Sequence, residues 1–127
     1  AGSGDLAEAR PQEPAWSALM QACGVDSAWC FVPDGVARFR ARMFSPTAGI
    51  PEDPATGSAT AAFAAAVRGA GVARDGRQVF EILQGVEMGR PSLLRLTVEM
   101  AGGALHAVRV AGRAVRIAEG RIRGPEV

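Results

Sequence analysis

Alternating apolar and polar residues predict that most of this chain forms β-strands. Over residues 37–44, Arg38, Arg40 and Arg42 share one face, and apolar side chains share the other. A short apolar run at 27–32 precedes it, and a Pro-Asp-Gly turn joins the two, so we expect a β-hairpin. Four further strands are predicted at 78–83, 94–100, 105–110 and 114–118, and glycine-containing turns join the last three as an antiparallel meander.

Two segments have helical spacing. Residues 14–23 place apolar side chains three and four positions apart, and Gly24 is a natural end for that helix. Residues 55–70 are dominated by alanine and have almost no polar face. A helix that is apolar all round is surrounded by other structure. We therefore expect the second helix to run through the middle of the domain.

These elements predict an α+β fold in which a central buried helix is wrapped by a curved, mostly antiparallel sheet. The sequence contains no alternating βαβ pattern and no Gly-x-Gly-x-x-Gly segment opening a helix, which argues against a doubly wound nucleotide-binding fold. Residues 1–13 are polar and contain proline, which is typical of a tail or linker remnant. Residues 14–127 are predicted to form a single domain.

Composition narrows the possible partners. The net charge is only +1, which favours neither a nucleic acid nor a membrane as partner. All 14 basic residues are arginine, and lysine, asparagine and tyrosine are absent, which indicates a GC-rich genome more than phosphate binding. The sequence lacks an apolar run of about 18 residues and a signal peptide, so we predict a cytoplasmic protein.

The two cysteines match no metal or redox motif. Cys23 and Cys30 have neither zinc-ligand nor Cys-x-x-Cys spacing, and His106 is the one histidine. We expect two free, buried or partly buried thiols in a reducing compartment. The sequence therefore predicts no metal and no cofactor.

Candidate chemistry concentrates where a loop meets the second helix. Glu52, Asp53, Thr56, Gly57 and Ser58 follow one another on a loop that three prolines make stiff. Main-chain N–H groups at a helix start have no intrahelical acceptor and bind anions. An acid beside them suits proton transfer at a carbon next to a carboxylate or carbonyl.

A purely structural interpretation of this junction stays open. Asp53 followed by Pro54 is a favourable N-cap and first-turn pair. Capping does not explain Gly57, which costs a helix about 1 kcal/mol relative to alanine. The three arginines of residues 38–42 have a similar alternative: they bind an anionic ligand or, as we favour, form a solvated sheet face.

Two segments resemble one known family. Residues 52–59, Glu-Asp-Pro-Ala-Thr-Gly-Ser-Ala, and residues 84–92, Gln-Gly-Val-Glu-Met-Gly-Arg-Pro-Ser, occur in that order. With residues 42–46 and 110–115 they resemble the PhzF-like isomerases of phenazine biosynthesis. The resemblance spans about residues 27–124 and matches only the C-terminal half of that family.

The resemblance implies a fold like diaminopimelate epimerase, with two α+β halves and an active site between them. It implies that Asp53 and Ser58 are catalytic. Gly57, through its main-chain N–H, Thr56 and Arg90 would bind substrate. For Arg90 a structural alternative is favoured, in which it pairs with an acid in a turn. The family's principal proton carrier lies in the other half, which is absent here.

The implied reaction is a cofactor-independent proton shift that moves a double bond in a small carboxylate metabolite, in bacterial secondary metabolism. Three hypotheses remain for the missing half of the site. An N-terminal half-domain chain or upstream segment supplies it, or two copies form a homodimer that completes it. In the third, the chain is a non-catalytic module that binds or sequesters a small carboxylate.

Overall fold

The computed structural model describes residues 2–125, which form an α+β fold with a curved, open, mixed sheet. The elements are α1 (Ser3–Glu8), α2 (Ala15–Cys23), β1 (Ala28–Pro33), β2 (Arg38–Ser45), β3 (Ile50–Asp53), α3 (Gly57–Gly69), β4 (Gly76–Gln84), β5 (Ser92–Ala101) and β6 (Ala104–Ala111). A short 3-10 turn at Pro46–Ala48 joins β2 to β3. The predicted hairpin and the strands at 78–83, 94–100 and 105–110 are confirmed.

The sheet order places β3 and β4 on the same edge of β2. The strands lie in the order β1-β2-β4-β5-β6, and β3 also pairs with β2. Pairing is antiparallel throughout, except that β2 and β4 run parallel. Since β1 occupies one edge of β2, β3 and β4 divide the other, with Asp53 opposite Met43 and Gln84 opposite Ala41. The C-terminal ends of β3 and β4, at Asp53 and Gln84, therefore lie close together.

Helix α3 packs on one face of this sheet. Its buried side chains contact a core whose most enclosed residues are Ile82, Leu96 and Val98. The side chains on its buried face are Thr60, Phe63, Ala64 and Val67. On its other side, Ala62, Ala65 and Ala66 are exposed. The expected wrapping is therefore only partly observed, because the open sheet covers one side of the helix.

Residues 3–23 pack on the opposite face of the sheet, whereas the sequence predicts that residues 1–13 are a tail or linker remnant. Leu6 of α1 is buried, and Trp16 and Met20 of α2 form a second apolar cluster with Phe44 of β2. Helix α2 is confirmed, and Gly24 ends it in the left-handed conformation, with φ of +65°. The segment gains its structure from contacts with the sheet.

Two local predictions are wrong. Helix α3 was predicted to begin at Ala55, but it begins at Gly57, with Thr56 as N-cap, because Asp53 pairs with β2 as the last residue of β3. Residues 114–118 form no strand, and Val115 and Ile117 are more than four-fifths exposed. Their alternating pattern lacks a neighbouring strand within residues 2–125, and strands depend on such a neighbour.

The two cysteines differ in environment. Cys23 is exposed, contrary to our expectation, whereas Cys30 is partly buried as predicted; both thiols are free. Burial raises the pKa of the Cys30 thiol above its ordinary value, although the positive charge of Arg42 acts in the opposite direction. None of the helices between residues 2 and 125 is long and apolar enough to cross a bilayer.

Candidate active site

Asp53 is the last residue of β3, and three residues separate it from Gly57, where α3 begins. Its Oδ2 accepts a hydrogen bond from the Thr56 hydroxyl at 2.6 Å, and its Oδ1 accepts a long one from the Ala55 N–H at 3.4 Å. The side chain is partly exposed. Asp53 therefore offers a carboxylate that is anchored through one oxygen, with the other nearly free.

The buried side chain of Gln84 supports this loop from the end of β4. Its Nε2 donates to the Asp53 carbonyl oxygen at 2.7 Å and to Thr56 Oγ1 at 2.9 Å. Its Oε1 accepts from Trp29 Nε1 at 3.1 Å. All polar atoms of this fully buried amide have partners, as buried polar groups require.

Gly85 brings the two sequence blocks into direct contact. Its φ is +79°, and a Cβ there would lie 2.4 Å from the Arg90 carbonyl oxygen and 2.8 Å from that of Pro54. The Arg90 N–H donates to the Gly85 carbonyl oxygen at 2.9 Å, which closes the turn between β4 and β5. Glycine is required because any side chain would push this turn away from the loop before α3.

The start of α3 presents unpaired main-chain donors. Within residues 2–125, the N–H groups of Gly57, Ser58 and Ala59 make no hydrogen bond, and neither does the Ser58 hydroxyl. Gly57 and Ser58 are exposed, and no atom lies within 4 Å of where a Gly57 Cβ would stand. These groups can donate hydrogen bonds to an anionic ligand that enters from solvent.

The Thr56 hydroxyl makes all its hydrogen bonds to other residues of the protein. It donates its one proton to Asp53 and accepts from Gln84, and the residue is buried. The predicted substrate-binding set therefore divides: Gly57 and Ser58 are accessible, whereas Thr56 orients the acid.

Glu52 faces away from this chemistry. Both its oxygens accept from the Arg42 guanidinium, at 2.8 Å each, and Arg42 is almost fully buried. The remaining nitrogen of Arg42 donates to the carbonyl oxygens of Leu6, Ala7 and Ala9 at 3.0 Å each. The hydrogen bond to Glu52 raises the pKa of Arg42 above its ordinary value, against the lowering effect of burial.

The arginine face of β2 is therefore not simply solvated. Arg42 holds α1 against the sheet, and Arg40 pairs with Glu87 of the β4–β5 turn. Only Arg38 matches the solvated interpretation, since it is exposed and pairs with Asp34 at 3.5 Å.

Arg90 and a neighbouring cleft complete the region. The predicted turn before β5 is observed, but the Arg90 side chain is exposed and makes no ion pair within residues 2–125, contrary to the expected pairing with an acid. A cleft of about 480 Å³ opens beside Ala55, between the ends of β5 and β6. Arg113 lines it and has no ionic partner in the described part of the chain, so it is a cation that the sequence pattern did not single out.

Metal ligands are not grouped in the described chain. No cluster of three or more His, Cys, Asp or Glu side chains between residues 2 and 125 is placed to hold a metal ion. The arrangement instead offers one anchored carboxylate, free main-chain N–H groups and a serine hydroxyl.

Comparisons with known proteins agree on one family. The model of the phenazine biosynthesis-like protein family (PhzC-PhzF) matches residues 3–120. An uncharacterized isomerase of Mesorhizobium japonicum is 39% identical over 122 residues, which cover 89% of this chain and 39% of the relative. An uncharacterized isomerase of Deinococcus radiodurans is 40% identical over 112 residues, or 87% of this chain and 36% of the relative.

A relative with a named reaction is also similar. The trans-2,3-dihydro-3-hydroxyanthranilate isomerase of Pseudomonas aeruginosa is 46% identical over 92 residues, which cover 72% of this chain and 32% of that enzyme. The chain thus spans about a third to two fifths of the length of these curated relatives. Since the family match extends over nearly all of its 127 residues, the chain belongs to the phenazine biosynthesis-like family.

Proposed function

We propose that this chain forms one side of the active site of a cofactor-independent isomerase that shifts a proton on a small carboxylate metabolite. The relatives of the chain are named isomerases, which supports isomerase chemistry in general. The observation that carries the proposal is the anchored carboxylate of Asp53, placed just before a helix start with free N–H groups.

Each group has a role in this proposal. Asp53 exchanges a proton with a substrate carbon, while the Thr56 hydroxyl holds its carboxylate in place. The Gly57 and Ser58 N–H groups and the Ser58 hydroxyl bind a substrate oxygen that gains negative charge. Arg90, exposed and without an ionic partner in residues 2–125, attracts the substrate carboxylate.

The proposed reaction moves a double bond. A base on the opposite side of the site removes a proton from one carbon, the electron pair shifts along a conjugated system, and protonated Asp53 delivers its proton to another carbon. A carboxyl group exchanges protons only with an activated carbon, because its carboxylate is a weak base, so the carbon that Asp53 protonates needs an adjacent double bond and carboxylate. The Pseudomonas aeruginosa relative acts, by its name, on a dihydro-hydroxyanthranilate, which is a carboxylate.

The opposite side of the site comes from outside these 127 residues. The relatives are two to three times longer, which supports an active site shared between this part and the remainder. We propose the two-halved architecture of the diaminopimelate epimerase fold, completed by a partner chain, a further segment or a second copy. A role in bacterial secondary metabolism is part of the same proposal.

A chimeric enzyme tests the proposal. The segment of the Pseudomonas aeruginosa isomerase that matches this chain is replaced by the corresponding residues of this chain, and isomerisation is measured in deuterated water. We expect turnover with deuterium incorporation, and its loss by at least about 100-fold in an Asp53→Asn chimera. Asp34→Asn is the matched control, because Asp34 is an exposed carboxylate paired with Arg38 in the β1–β2 turn.

Each outcome decides between the hypotheses. A folded chimera without turnover would contradict the proposal, as would full activity after Asp53→Asn. Tight carboxylate binding by the chain without deuterium exchange in any combination would favour the binding module instead. Light scattering of the chain at micromolar concentration decides on a homodimer, since a monomer excludes self-completion of the site.

A further inference from the structure

We propose that a directional hydrogen-bond relay, Trp29–Gln84–Thr56–Asp53, keeps Asp53 Oδ2 permanently as an acceptor, so that Asp53 gains and loses its proton only at Oδ1. All four residues of the relay belong to this chain, so the relay needs neither a partner nor a substrate. Its use in catalysis rests on the proposed function, because it assigns the oxygen through which the proton passes.

The direction of the relay is fixed at its buried end. An indole N–H is a donor only, so the Trp29 Nε1–H must face the amide oxygen of Gln84, at 3.1 Å. The Trp29 ring is held against Phe63 of α3, with ring centroids 5.1 Å apart. At its other end the Gln84 amide meets the Asp53 carbonyl oxygen, an acceptor only, at 2.7 Å. Both contacts demand the same amide orientation, which does not depend on how its oxygen and nitrogen were assigned.

That orientation determines where the Thr56 proton goes. The second Gln84 amide hydrogen points to Thr56 Oγ1 at 2.9 Å, so the hydroxyl accepts there. The one hydroxyl proton is then left for Asp53 Oδ2, at 2.6 Å. Thr56 is buried, so a proton turned away from Asp53 would have no acceptor among residues 2–125, which is costly.

The consequence concerns the two oxygens of Asp53. A proton on Oδ2 would need Thr56 Oγ1 as its acceptor and would displace the hydroxyl proton into a site without a partner. Oδ1 has only the weak 3.4 Å contact with the Ala55 N–H. Oδ1 is therefore the oxygen that is free to carry a proton.

Thr56, Gln84 and Trp29 are positioning residues in this scheme. They touch no reacting atom and act through Asp53. A carboxylate that keeps one strong hydrogen bond in both protonation states needs no rearrangement when its proton leaves.

Infrared spectroscopy of the chain with ¹³C-carboxyl-labelled aspartate tests the relay without substrate. The difference between the chain and its Asp53→Asn variant isolates the carboxylate bands of Asp53. We expect Thr56→Val to reduce the separation of the two stretching bands, because the oxygens become more alike, and Thr56→Ser to restore it. Thr60→Val is the matched control, because Thr60 is also buried but its hydroxyl donates to the Thr56 carbonyl oxygen.

An unchanged Asp53 band in Thr56→Val, or an equal shift in Thr60→Val, would overturn the relay. If Thr56→Val does not fold, Thr56→Ala and Thr56→Ser give the same comparison. In the chimeric isomerase, Thr56→Val should lower kcat about 10- to 100-fold with KM unchanged. A band shift without any turnover in the chimera would retain the relay and refute the proposed function.

Discussion

Replacing Gly85 by alanine tests whether the β4–β5 turn and the loop before α3 are locked together. The new Cβ would lie 2.4 Å from the Arg90 carbonyl oxygen and 2.8 Å from that of Pro54. A positive φ costs a residue with a Cβ about 1–2 kcal/mol. Crowding against two main-chain carbonyls, which cannot turn aside as a flexible side chain would, adds about 1–3 kcal/mol. We therefore expect Gly85→Ala to lower the free energy of unfolding by about 2–5 kcal/mol.

Urea unfolding followed by tryptophan fluorescence measures this loss against a matched control. Gly89 lies in the same turn with φ of +68°, but no atom comes within 4 Å of where its Cβ would stand. Gly89→Ala should therefore lose only the backbone part, about 1–2 kcal/mol. The reasoning is refuted if the two variants unfold within about 0.5 kcal/mol of each other.

Three further predictions concern the N-terminal side of the sheet. Glu52→Gln should destabilise the chain by about 3 kcal/mol in urea unfolding, because buried Arg42 loses its bidentate carboxylate and keeps only the Glu87 carboxylate, 4.0 Å from its Nε; a loss below about 1 kcal/mol would contradict a buried ion pair. At about pH 8, iodoacetamide should modify exposed Cys23 roughly tenfold faster than Cys30, whose raised pKa keeps its thiol neutral, and equal rates would contradict this. Burial of the neutral Cys30 thiol adds stability below the ordinary thiol pKa, and this is lost as pH rises through the raised value. Leu6→Ala should cost about 2–3 kcal/mol by calorimetry if α1 is docked, and nothing if the segment is a loose tail.

The strands were predictable because their signals are local. Alternation over 37–44 and 94–100 reflects one buried face, and β2 and β5 have that pattern. Gly24 likewise marks the end of α2, since only the adjacent chain decides its conformation. The sequence was therefore sufficient to predict elements whose conformation depends only on residues within the same strand or at the same helix end.

The errors arise where a distant segment decides. Capping of the helix by Asp53 was the structural alternative for this junction, but pairing with Met43 draws Asp53 into β3, and α3 begins at Gly57. Arg42 was expected to be solvated, but three carbonyls of the N-terminal segment and Glu52 satisfy its buried guanidinium. Neither partner is visible in the pattern around the residue itself.

The candidate site shows the same limit. The loop–helix junction stood out because acids, hydroxyls and glycine are adjacent in sequence. Gln84 was overlooked as an individual residue, since a glutamine at the end of a strand is unremarkable. Its importance comes from contacts with residues 28, 31 and 55 positions away, which only the shared edge of β2 brings together.

Deuterium incorporation by the chimeric isomerase, with and without the Asp53 carboxylate, shows most directly whether Asp53 transfers a proton to the substrate. We expect Asp53→Asn to reduce incorporation at least about 100-fold, while substrate binding and the unfolding temperature stay close to those of the Asp34→Asn control. Equal incorporation in the two variants would show that Asp53 carries no proton.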